Sequence, residues 1–196
     1  MRNLDAQMAR FSARLQSEVG VDAEAAERLA TTVSAELRFL PIEAKTEILS
    51  SSPVNIASRL DELVAFQSYM DQMRMAKRHP AITRAQVLYQ NYVCFVYLGD
   101  ACFTVLAKSA PAGSTSRTCS RFLTSNPVRA FRNAIAHGNW EYSSNFSSLV
   151  FWARKGSDKS EPLNKFEVSQ EDLDFWQSLA RCVGYAAYLH LRAGAA

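Results

Sequence analysis

Histidine is scarce in this sequence, with three residues, His79, His137 and His190, among 196. There is no His-Glu-x-x-His run and no Cys/His cluster, so no metal site is expected. The four cysteines, Cys94, Cys102, Cys119 and Cys182, form no Cys-x-x-Cys pair. Two sit inside apolar runs, Val93-Cys94-Phe95 and Ala101-Cys102-Phe103, which points to reduced, buried thiols in a cytosolic protein. Ala112-Gly113-Ser114-Thr115-Ser116 resembles a phosphate loop in composition only. It lacks the Gly-Lys-Ser/Thr ending, which excludes nucleotide hydrolysis there. No cofactor motif is present. The most apolar stretch, 87–107, is interrupted by Gln90, Asn91 and Asp100, so no membrane span is expected. Charge interrupts Met1-Arg2-Asn3-Leu4-Asp5 before any apolar core develops, so no secretory signal is expected and the location is read as cytoplasmic. Net charge is small, at +3, and total charge therefore does not imply a nucleic-acid partner. Internal repeats and low-complexity segments are also missing.

The residues present are those of a globular domain: 48 % hydrophobic, 11 % aromatic and 21 % charged, enough for a sizeable core. Leu4, Met8, Phe11, Leu15 and Val19 have helical spacing, with Gly20 as a stop. Asp22 can cap a second helix, which Pro41 ends. A short helix is expected over 42–49 and a longer one over 54–77, broken at His79-Pro80. Thr83-Arg84-Ala85-Gln86 has the form of a capping box, opening a long apolar helix that reaches about Lys108. After a Ser/Pro/Gly loop, a short helix is expected over 117–123. Asn126-Pro127 has the form of an N-cap followed by proline at the first helical position, starting the next helix. The stretch 148–152 is β-prone and 163–168 alternates like a strand, so a hairpin is expected at about 146–168. Ser169-Gln170-Glu171-Asp172 caps a final helix.

Chemistry concentrates in Arg132-Asn133-Ala134-Ile135-Ala136-His137-Gly138. On a helix Asn133 and His137 share a face, about 40° apart in direction. Arg132 lies roughly 140° from His137, so it flanks that face. A fixed cation, an amide and a titratable imidazole border one groove, and these groups can hold a phosphodiester and move a proton. Gly138 is expected to let the last turn loosen. No acidic residue occurs between Asp100 and Glu141, while that interval holds Lys108, Arg117, Arg121, Arg129 and Arg132. Such an interval in a nearly neutral chain suggests a local positive surface. The structural alternative makes Arg132 a salt-bridge former and leaves Asn133 and His137 as helix-terminal polar residues, with His137 favoured there by the helix dipole.

Arg132-Asn133-x-x-x-His137, with Gly138 after it and late in a helical chain, resembles the HEPN superfamily signature. The likeness covers about 83–192. It implies a metal-independent endoribonuclease of toxin or antiviral-defence type, needing no cofactor. It also implies a homodimer in which two motif helices face each other across an RNA-binding cleft. In that frame Arg132 binds the scissile phosphate, His137 assists proton transfer at the ribose 2′-hydroxyl, and Asn133 orients the histidine or the phosphate. Some such toxins carry a modifiable tyrosine two residues after the histidine; here Asn139 stands there.

The expected architecture is an all-α, HEPN-like helical bundle with a small β-hairpin insertion before the last helix. Residues 1–80 would form an N-terminal helical segment packed on a HEPN-like domain at 81–196. Arg117, Arg121 and Arg129 are candidate RNA-phosphate contacts, and Asp100 is a candidate carboxylate orienting Arg132 or Asn133. Expected partners are RNA, a second copy of the chain, and an antitoxin or defence-system protein, with no membrane. A non-catalytic HEPN-like module binding nucleotide, RNA or protein is the alternative reading. A purely structural helical partner in a larger assembly is a third.

Overall fold

Apolar side chains at helical spacing and a few local caps set the architecture of the protein in a computed structural model, which describes residues 4–32, 88–143, 148–154 and 160–193. The helices expected at 42–49 and 54–77, and the capping box at Thr83, lie outside the described residues. Helix α1 (Leu4–Arg14) continues as a π-helical turn, Leu15–Val19, and Gly20 closes it at φ 80°. Asp22 then caps α2 (Ala23–Thr32), its Oδ1 accepting from Ala25 N at 2.8 Å. The long apolar helix, α3 (88–109), contains π-helical stretches at Tyr92–Tyr97 and Gly99–Phe103 before an α-helical end at Thr104–Ser109. Ser114 caps α4 (Thr115–Leu123), accepting from Arg117 N.

Helix α5 (Val128–His137) carries the Arg-Asn-x-x-x-His segment. Its start differs from expectation. Pro127, joined to Asn126 by a cis peptide bond, occupies the capping position itself, and no side chain caps the helix. The first-turn amide of Arg129 bonds back to the Ser125 carbonyl at 2.8 Å instead.

The chain after α5 builds more sheet than the expected hairpin. Strands β1 (Trp140–Tyr142), β2 (Ser148–Ala153) and β3 (Asn164–Ser169) form one antiparallel sheet with β2 in the centre. Trp140 pairs with Phe151, and Phe151 with Phe166 on the other side. The near-continuous apolar run of β2 follows from this central place, since five of its residues are buried. Helix α6 (Gln170–Ala193) closes the fold. The described part is thus mostly helical with a small three-stranded sheet, and no helix among the described residues is long and apolar enough to cross a membrane.

One core joins these elements, from Leu15 through Phe95 and Phe103 to Leu149 and Leu179. Phe131 of α5 sits at its centre. Its ring lies 5.5 Å from Phe95, 5.3 Å from Phe151 and 5.7 Å from Trp176, so one side chain ties α5 to α3, β2 and α6. The described N-terminal helices share this core, with Phe11 edge-on to Phe175 at 5.5 Å. Asn91 and Gln177 form a buried hydrogen bond of 2.6 Å between α3 and α6.

The start of α6 has a testable pH signature. Ser169 Oγ accepts from Asp172 N at 3.1 Å and donates to Asp172 Oδ2 at 2.7 Å, while Arg14 reaches Asp172 Oδ1 at 2.6 Å. Burial pushes the Asp172 carboxyl up, but the bonds from Ser169 and Arg14, with the Arg14 charge, outweigh this and hold it below its ordinary value. A carboxyl depressed on folding stabilises above its unfolded pKa, and that contribution is lost as pH falls through the folded value. Thermal melts are therefore expected to show a smaller acid-side loss of stability in Asp172→Asn than in the parent. Ser169→Ala should cost about 1 kcal/mol at neutral pH.

Candidate functional site

Helix α5 positions the candidate site by burying one face and leaving the other in water. Val128, Phe131, Ala134 and Ile135 are buried, while Arg129, Asn133, Ala136 and His137 are exposed. Arg129, Asn133 and His137 stand four residues apart in succession, so they form one stripe along the helix. Arg132 lies beside that stripe and is half-buried. Its guanidinium packs against α3, with Nε 3.6 Å from where a Cβ on Gly99 would stand. Arg132 Nη1 also donates to Asn133 Oδ1 at 3.0 Å, so the amide steadies the cation.

These groups border a cleft of about 280 Å³. Its walls include Gly99 and Thr104 of α3, Thr124 and Asn126 of the α4–α5 turn, and Arg129, Arg132 and Asn133 of α5. Arg154, just after β2, completes it. Arg154 is held by its own backbone contact, Nε donating to the Glu161 carbonyl at 2.8 Å. Three arginines therefore converge on one small cleft, and no described lining residue is acidic. Threonine hydroxyls and asparagine amides supply further polar groups. Such a cleft suits an anion of phosphate size.

The other sequence candidates lie elsewhere. His137 is exposed at the C-terminal end of α5 and does not line this cleft. Gly138 adopts φ 70° and closes the helix tightly rather than loosening it: Gly138 N bonds Ile135 O and Asn139 N bonds Ala134 O, the Schellman arrangement. Asn139 O then accepts from Trp152 N at 2.9 Å, fixing His137 at the junction of helix and sheet. Arg117 is half-buried, with Nη1 donating to the Ala110 carbonyl at 3.2 Å, and so ties down the α3–α4 loop. Arg121 is exposed on α4, and neither Arg117 nor Arg121 lines the cleft. The side chain of Asp100 lies outside the described residues, although its neighbour Gly99 lines the cleft together with Arg132. Arg154 was not legible beforehand, because it follows β2, outside the acid-free interval.

A second concavity, of about 570 Å³, opens beside the C-terminal end of α5. Its walls are Leu88, Tyr89 and Tyr92 of α3, Ile135 and Gly138 at the end of α5, and Trp140 of β1.

The cysteines play no part in either feature. Cys94, Cys102, Cys119 and Cys182 are all buried thiols, none of them in a disulfide. Burial pushes the thiols of Cys94 and Cys102 up to about 11 and that of Cys119 up to about 12. A Cys119 thiolate is thus absent at neutral pH, which removes it as a nucleophile. All four thiols are expected to resist a thiol-reactive dye in the folded protein and to react together once it is denatured. Fast labelling of Cys119 under native conditions would contradict this. Comparison with protein-family models, with curated proteins and with solved structures finds no match for the chain.

Proposed function

We propose that this protein is a metal-independent endoribonuclease of the HEPN type, acting without cofactor as a cytoplasmic homodimer in a toxin or antiviral-defence setting. The observation that carries the reading is the convergence of Arg129, Arg132 and Arg154 on one cleft, on the helix that ends at an exposed His137. In the proposed reaction the ribose 2′-oxygen attacks the adjacent phosphorus as the bond from phosphorus to the 5′-oxygen breaks. The 2′-hydroxyl gives up its proton to a base, and a proton is delivered to the departing 5′-oxygen. The products are a 2′,3′-cyclic phosphate and a 5′-hydroxyl end. Arg132 offsets the charge that builds on the non-bridging oxygens, a role suited to a planar cation already braced by Asn133. His137 handles the proton. Arg129, Asn133 and His137 form an exposed stripe, so two copies of α5 facing each other would bring the histidine of one to the arginine cleft of the other.

The alternative, a non-catalytic HEPN-like module that binds RNA, nucleotide or protein, is favoured by one observation: His137 is not in the cleft of its own Arg132. Incubating purified protein with single-stranded RNA in excess chelator separates the two. Cleavage yielding 5′-hydroxyl ends supports the ribonuclease. Binding without cleavage selects the module, and neither binding nor cleavage overturns the ribonuclease and an RNA-binding module alike.

A further inference from the structure

The two concavities belong to one seam. Gly99 of α3 meets Arg132 of α5, Phe95 meets Phe131, and Tyr92 and Leu88 share a groove with Ile135 and Gly138. The two helices therefore run side by side in opposite directions. The arginine cleft lies towards one end of the seam and the aromatic groove towards the other. From Gly99 to Tyr92 is seven residues, about 10 Å along the helix.

From this arrangement we infer that the aromatic groove binds a nucleobase of the same single-stranded RNA whose phosphate occupies the arginine cleft, an inference that rests on the ribonuclease reading of that cleft. The groove is built for a flat, neutral group. No described residue in its lining is charged, and the buried Ile135 contributes to it. Tyr89 and Tyr92 stand one helical turn apart and are 60 % and 46 % exposed, the two large aromatics left most in water among the described residues. Trp140 forms a third wall and is braced edge-on by Tyr142 at 5.6 Å. Exposed aromatic rings next to a cationic track are the pattern by which proteins hold single strands, the cations following the backbone while bases stack on the rings.

The test is the affinity of a short, fluorescently labelled strand of 2′-O-methyl RNA, which lacks the nucleophilic hydroxyl and so remains intact, measured by anisotropy at several salt concentrations. Tyr92→Ala should bind about tenfold more weakly, and its salt dependence should match that of the parent. Tyr92→Phe keeps the ring and should stay within about twofold of the parent. Arg129→Gln should instead make the salt dependence shallower, by about one charge. Unchanged affinity in Tyr92→Ala overturns the groove assignment, and so does an equal loss in Tyr92→Phe. A change of oligomeric state in Tyr92→Ala, seen by sedimentation, assigns the groove to a second copy and also overturns it. If the parent binds no RNA and cuts none, the ribonuclease reading fails and takes this one with it. RNA cleavage combined with full affinity in Tyr92→Ala overturns the groove alone.

Discussion

His137→Ala is expected to lower the rate of RNA cleavage by about 10²–10⁴-fold, the usual worth of a positioned proton-transfer group. The variant should remain folded, because the imidazole is exposed at the end of α5 and packs into no core. Its melting behaviour should stay within about 0.5 kcal/mol of the parent, as for surface substitutions in general. RNA affinity should change little, since the phosphate charge is met by Arg129, Arg132 and Arg154, which the variant keeps. Loss of cleavage with retained binding and stability is thus the expected signature. Arg132→Lys makes a useful companion. A lysine keeps the charge but loses the planar fork that Asn133 braces, so it should not restore full activity. Full activity in His137→Ala would remove the imidazole from the mechanism.

Phe131→Ala should have the largest effect on stability. The side chain is fully buried, and its ring meets Phe95, Phe151 and Trp176. Removing it forfeits the transfer energy of the ring and leaves a cavity at the junction of α3, α5, β2 and α6, at a cost of about 3–5 kcal/mol. For a chain of this size that is a fall of roughly 10 °C in melting temperature. Phe131→Leu fills more of the space and should cost much less. Because Phe131 immediately precedes Arg132, the alanine variant should also blur the arginine cleft and lower RNA affinity below the melting transition. Denaturant melts and binding isotherms on the same preparations separate the two effects. A loss under about 1 kcal/mol would mean that the aromatic cluster is not the keystone of the fold.

Features governed by neighbours in the chain were readable without coordinates. Gly20 ends α1 in the left-handed region, Asp22 caps α2, and Ser169 and Asp172 cap α6, each through a contact spanning no more than a few residues. Buried thiols followed from the apolar runs around Cys94 and Cys102. The α5 stripe of Arg129, Asn133 and His137 is likewise a consequence of helical period alone.

Tertiary contact decided the rest. Strand β1 is three residues long and has no periodic signal of its own; pairing with β2 creates it. Gly138 tightens the end of α5 because the chain turns at once into the sheet, where Asn139 bonds Trp152. Arg154 joins Arg129 and Arg132 although more than twenty positions separate it from them, and Arg117, adjacent in the basic interval, is drawn into a loop instead. By itself the sequence determined that α1 and its π-helical turn end at Gly20 and α5 at Gly138, that the thiols of Cys94 and Cys102 are buried, and which residues share a face of α5, since caps, apolar runs and helical period act over a few residues. Only the tertiary structure decided which cations meet, that His137 stands apart from the cleft of its own Arg132, and that an aromatic groove shares the α3–α5 seam, because these depend on segments far apart in the chain packing around Phe131.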